Sequence, residues 1–142
     1  MGRLKIIGYR VMVRPSDPLP LLKCFLEDGR SFNMSSIPVD AAIAIERLAN
    51  GVELSGDPRL SLPMILMEIP SVESDIRGSV KEVVIDDMLE SEGGYVYCAS
   101  VFLKIDGKIL KKLMVPSSAI ILALLSGADV YVDEKFLSSE SF

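Results

Sequence analysis

The sequence predicts an α+β fold made of two β-β-β-α-β units, with mostly antiparallel strands and the helices packed into one shared core. Three observations carry this. First, Ala119–Leu125 is a continuous apolar run opened by Pro116 and closed by Gly127. Proline suits the first turn of a helix and glycine the position just past its end, so Val115–Gly127 reads as a helix. Apolar on every side, it must be central and buried, and it falls short of the roughly 20 residues a bilayer span needs. Second, Asp28-Gly29 and Asp106-Gly107 each separate two strand-like runs, which marks hairpins with type I′ turns. Third, one offset of 78 residues (106 − 28) superimposes Asp28 on Asp106, Pro38 on Pro116, Ala41 on Ala119 and Ile43 on Ile121. The segment IPVDAAI thus stands over VPSSAII. The halves span about residues 1–55 and 79–133 of a single domain, and residues 56–78 join them.

The elements follow in order. Residues 3–14 form a strand whose apolar phase flips across Ile7-Gly8, from Leu4 and Ile6 to Tyr9, Val11 and Val13. A β-bulge at Gly8 puts both sets on one side and gathers Arg3, Lys5, Arg10 and Arg14 on the other. Residues 21–27 and 30–35 flank the first Asp-Gly turn. Pro38 starts a helix with Asp40 in its first turn, where a carboxylate complements the helix dipole, and Asn50-Gly51 stops it. Val52–Leu54 reads as a short strand. Ser61 caps a short helix with Pro63 in its first turn; Pro70 ends it, and residues 71–77 form a polar connection. Strands follow at residues 79–89, 95–105 and 108–115, then the apolar helix, a strand at 129–132 and a turn capped by Asp133. Residues 138–142 read as a loose end.

Composition excludes several chemistries. The 142 residues carry no His and only two Cys, Cys24 and Cys98. There is therefore no imidazole base, no His metal ligand and no disulfide framework; free thiols suit a cytoplasmic protein. Met1-Gly2-Arg3 runs straight into strand-like sequence, so neither a leader nor a membrane segment is expected. The net charge of −5 argues against a sequence-independent grip on nucleic acid, which needs a basic surface.

The segment Asp106–Leu137 resembles the bifunctional nuclease domain family, in which an Arg-Pro-Ser-Asp-Ala-Ile segment leads a helix, followed by Gly-Ala-Pro and a terminal strand. The matching residues are Pro116, Ser117, Ala119, Ile120, Gly127, Ala128, Val130 and Val132. Upstream, Asp40-Ala41 is similar to a Glu-Ala pair of that family, and Tyr97–Leu103 to its Phe-Tyr-Ala strand. The resemblance implies an α+β fold, a homodimer or higher homo-oligomer, and in some members cleavage of RNA and DNA. The chain departs from the pattern at Val115, where the family has Arg, and at Ser118, where it has Asp. It also departs at Ser61-Leu62-Pro63, where the family has Thr-His-Asp.

Two function classes follow. A metal-dependent nuclease would use Asp40 as its catalytic, Mg²⁺- or Mn²⁺-binding carboxylate. Ser117 and Ser118 would contact phosphate as hydroxyls, and Lys104, Lys108, Lys111 and Lys112 would clamp it. One carboxylate is a poor metal site, and Asp86 and Asp87, adjacent on a strand, should point to opposite faces. The alternative is a non-catalytic, oligomeric binding or interaction module of the same fold. A minor third reading is a small-anion binder at the helix starts of Pro38 and Pro116.

Overall fold

The structure, a computed structural model, describes residues 2–16, 18–51 and 62–137. The strands are β1 (Arg3–Met12), β2 (Leu21–Leu26), β3 (Ser31–Met34), β4 (Val80–Ser91), β5 (Gly94–Ile105), β6 (Lys108–Met114) and β7 (Asp129–Asp133). The helices are α1 (Val39–Asn50), α2 (Leu62–Leu66), α3 (Pro70–Ser79) and α4 (Pro116–Ser126). All seven strands join one sheet in the order β3-β2-β1-β7-β4-β5-β6, antiparallel throughout except for the β4–β7 pair. The fold is α+β, as the sequence predicts. Strand–strand–strand–helix runs twice, as β1-β2-β3-α1 and β4-β5-β6-α4. The expected fifth element of the first unit, Val52–Leu54, lies outside the described residues, as do the Ser61 cap and the loose end at 138–142.

The long strand β1 is the corner of the sheet. Its first residues, Arg3–Lys5, pair with β7, whereas Ile6 and Gly8–Met12 pair with β2. The register shifts between Ile6 and Gly8, so the bulge predicted at Gly8 falls one residue earlier, with Ile7 as the extra residue. Ile6 and Tyr9 are consequently both buried, while Ile7 is 65% exposed. Beyond Lys5 the edge of β1 that faced β7 has no strand partner among the described residues, and side chains of α1 bond to it. Asn50 Nδ2 donates to the Tyr9 carbonyl at 2.9 Å and to Glu46 Oε1 at 2.8 Å, and Glu46 Oε1 accepts the Val11 N–H at 3.2 Å. Glu46 and Asn50 lie one turn apart on the helix, so a single face meets the two backbone groups that alternate along the strand edge. Glu46 is buried at 7% exposure, and these bonds offset the cost of removing a carboxylate from water.

Helices cover one face of the sheet. Helix α4 occupies the centre, with Ala119, Ile120, Ile121, Ala123 and Leu125 buried. Its sequence signals hold: Pro116 is the first helical residue, and Gly127 closes it in the left-handed region at φ 78°, donating to the Ala123 carbonyl at 2.8 Å. Helix α1 packs beside it through Ala42, Ala44 and Ile45. Sheet residues Leu22, Leu26, Val83, Ile85, Val101 and Val132 meet the helices from below, each at 1% exposure or less. Burying each such side chain contributes about 1.5–3 kcal/mol. The sheet curls so far that Phe32 on its first strand meets Tyr97 on its sixth, with ring centroids 5.0 Å apart. Tyr97 then contacts Phe136, just past β7, at 5.1 Å.

Two local expectations are corrected. Residues 71–77 are not a connection: Pro70 begins α3 instead of ending a helix, and Glu73 and Arg77 pair across one turn at 2.7 Å. The sequence cue was present, since proline at a first helical turn and (i, i+4) opposite charges both favour helix. The two Asp-Gly turns also differ. Asp106 (φ 52°) and Gly107 (φ 78°) are both left-handed, as a two-residue type I′ turn requires. In the first hairpin only Gly29 is left-handed, and Gly29 N–H bonds to the Leu26 carbonyl within a loop four residues long, Glu27–Arg30. The longer loop lets Asp28 keep an ordinary conformation.

Two predictions follow from this core. Asn50→Ala removes the bond from α1 to the Tyr9 carbonyl and the bond that steadies Glu46 beneath the Val11 N–H, and it should lower stability by about 1–3 kcal/mol in urea unfolding. The second concerns alkali. Burial pushes the Cys24 thiol up to about 12, from an ordinary value near 9, and burial followed by the neighbouring Cys24 raises Tyr9. The folded chain thus holds a proton that the unfolded chain releases. This stability is fully present below pH 9 and is lost as pH rises toward 12, at up to about 1.4 kcal/mol per pH unit. The urea midpoint should fall between pH 9 and pH 11, with a shallower slope in Cys24→Ser.

Candidate functional site

The residues selected from the sequence do not converge. Asp40 lies exposed in the first turn of α1, and its Oδ1 accepts its neighbour's N–H, that of Ala41, at 2.9 Å. Among the described residues, no group of three or more His, Cys, Asp or Glu side chains is placed to hold a metal ion. Ser117 is 5% exposed on the inner side of α4, which removes its hydroxyl from phosphate in solution. Ser118 borders an apolar cavity of about 230 Å³ with Leu62, Leu66, Met114, Ile121 and Leu122, surroundings unsuited to an anion.

The four lysines are all exposed, but they divide between the two faces of the β5–β6 hairpin. Lys112 stands opposite the buried Val101, and Lys108 opposite Ile105, on the helix side. Lys104 and Lys111, beside Ile109 and Phe102 in the register, lie on the opposite side. A single phosphate clamp cannot draw on all four. The basic strip expected from β1 is also partly neutralised. Arg3 forms a bidentate pair with Glu82 on β4 at 2.8 and 3.0 Å and stacks over the Tyr131 ring at 4.0 Å, and Lys5 pairs with Asp129 at 3.3 Å.

What the structure does bring together lies on the sheet face opposite the helices. A cavity of about 420 Å³ opens there, lined by Arg3, Glu82, Val84, Asp86, Phe102 and Asp133. The later of two register shifts in β4, between Ile85 and Asp87, overturns the expectation that Asp86 and Asp87 point to opposite faces. Asp86 accepts a hydrogen bond from the buried Ser100 hydroxyl at 2.9 Å, and Asp87 stands opposite Cys98; both partners alternate with the core residues Ala99 and Val101. Both carboxylates therefore flank Cys98. Burial raises the Cys98 thiol first, and the charges of Asp87 and then Asp86 raise it further. No sequence signal marked this bulge, because acidic residues interrupt the apolar alternation there and leave no phase to follow.

The placement of the acid pair is testable through the thiol. Cys98 should react slowly with iodoacetamide at pH 8, and Asp87→Asn should speed the reaction several-fold by lowering the thiol pKa. An unchanged rate in Asp87→Asn and in Asp86→Asn would remove the pair from this face.

In comparisons with known proteins, no family model matches the chain, and no curated protein shows significant similarity to it.

Proposed function

We propose that this chain is an internally duplicated, divergent relative of the bifunctional nuclease domain that acts as a self-associating interaction module and not as a nuclease. The observation that carries this reading is the dispersal of the groups that cleavage would need. Asp40 is spent on its own helix, Ser117 is buried, Ser118 lies in an apolar pocket and the lysines are divided between two faces. Phosphodiester hydrolysis needs a metal held by convergent carboxylates and a positioned water. The residues around Asp40 do not fit Mg²⁺ or Mn²⁺.

Self-association is favoured by the open sheet face. Among the described residues no helix covers it, and Ile7, Met12, Phe25, Ile109 and Leu113 on that side are 36–65% exposed. Its charge is also divided. Arg10 and Lys23 sit side by side on β1 and β2, and Asp86 and Asp87 stand on β4. A two-fold related copy can set basic strands against acidic ones. Among the described residues no helix is long and apolar enough to cross a membrane. The two buried free thiols suit a cytoplasmic setting.

A second reading has one specific observation behind it. Mg²⁺ is often held by one or two carboxylates together with substrate phosphates, and the bulge places Asp86 and Asp87 on one face.

Purified protein should cleave single-stranded RNA or DNA little with Mg²⁺ or Mn²⁺. Robust cleavage abolished by Asp40→Ala would overturn the module reading. Cleavage lost in Asp87→Asn but kept in Asp40→Ala would establish the second reading instead. Sedimentation velocity at micromolar concentration should show a dimer or larger species, shifted toward monomer by Phe25→Asp. A monomeric parent protein contradicts self-association.

A further inference from the structure

We propose that the outer edge of β6 is a docking site for an extended, acidic peptide segment, which joins the sheet as an eighth strand beside Lys111-Lys112. The inference rests on the reading of the chain as an interaction module, but it concerns a different surface from the open face.

Strand β6 ends the sheet order, so one edge pairs with β5 and the other has no strand beside it among the described residues. Natural sheets protect such edges by keeping them short, by bulging or covering them, or by placing charged side chains, lysine above all, along them. Strand β6 is seven residues long, and its register with β5 runs from Ala99–Met114 to Ile105–Lys108 without a shift. Six of its seven residues are exposed, and Ile109 and Leu113 are 59% and 57% exposed. The strand also carries three lysines and no acid in a chain whose net charge is −5. Edge lysines discourage pairing with like strands, but beside exposed aliphatic side chains they also specify what an acceptable strand must carry.

The arrangement distinguishes possible occupants. A second β6 in full antiparallel overlap, centred on Lys111, would set that lysine against its own copy, and like charges directly opposite destabilise a sheet. A nucleic-acid backbone would track along one face, whereas Lys111 lies on one face and Lys108 and Lys112 on the other. A peptide strand added at the edge alternates its side chains to both faces and so meets both sets. Its main chain supplies the hydrogen bonds and its side chains the selectivity. Opposite Leu113, Lys112, Lys111 and Leu110 the fitting order is apolar, acid, acid, apolar.

The test uses a fluorescein-labelled ten-residue peptide with a central Val-Glu-Glu-Val core and the intact protein, followed by fluorescence anisotropy. Saturable micromolar binding at low salt is expected, weakening several-fold at 0.5 M NaCl. Lys111→Glu/Lys112→Glu should lose at least tenfold, and a peptide with a Val-Lys-Lys-Val core should not bind. Both substitutions are at exposed positions, and circular dichroism checks that the fold is kept. Absence of peptide binding overturns the proposal, as does binding that survives the double substitution. Lysine-dependent binding of single-stranded DNA without peptide binding would assign the strip to nucleic acid and also overturn it. If sedimentation still shows an oligomer disrupted by Phe25→Asp, the module reading stands while the β6 docking site falls.

Discussion

The fold depends on the corner in β1. A seven-stranded sheet flat enough to keep every ladder bond could not bring its first and sixth strands within ring contact. The extra residue at Ile7 breaks the ladder where β1 passes from its β7 partnership to its β2 partnership. Backbone groups exposed by that change need partners, because a buried unpaired donor or acceptor costs about 1–3 kcal/mol. Glu46 and Asn50 provide them from α1, so the helix is bonded to the strand as well as packed on it. Bend, helix position and concave core are thus a single arrangement.

A consequence is that the second half is not a copy of the first in its chemistry. Position 46 in α1 corresponds, by the 78-residue offset, to Leu124 in α4, and position 50 to Ala128. The second helix has no equivalent polar pair and is buried by apolar contact instead. The turns diverge similarly, with both Asp106 and Gly107 left-handed in one hairpin and Gly29 alone in the other. The same element order therefore rests on different local interactions in the two halves.

How much was legible in the sequence follows from these differences. Helix α4 was readable because Pro116, the apolar run and Gly127 agree with one another. The hairpin at Asp106-Gly107 was readable because a two-residue loop leaves the turn no choice. The β1 bulge was visible as a phase change in apolar residues, to within one position. The β4 bulge between Ile85 and Asp87 was not, since Asp86 and Asp87 give no apolar phase, and with it went the open-face acid pair beside Cys98. Pro70 suits a helix stop and a helix start equally, so the sequence does not decide the beginning of α3. Type and spacing identified Asp40, Ser117, Ser118 and the lysines, but convergence depends on which side of a strand or helix each occupies, and that is set by tertiary packing.

The aromatic contact that closes the curl has a bearing on synthesis. Phe32 meets Tyr97, which leaves the ribosome 65 residues later (97 − 32), and Tyr97 in turn packs on Phe136. At elongation rates of roughly 5–20 residues per second, the gap before Tyr97 appears is about 3–13 s. During that interval the β2–β3 hairpin and α1 can form, but Phe32 lacks the Tyr97 ring it packs on and α4 is still to come. The nascent N-terminal half therefore keeps part of its apolar surface uncovered until the second half arrives.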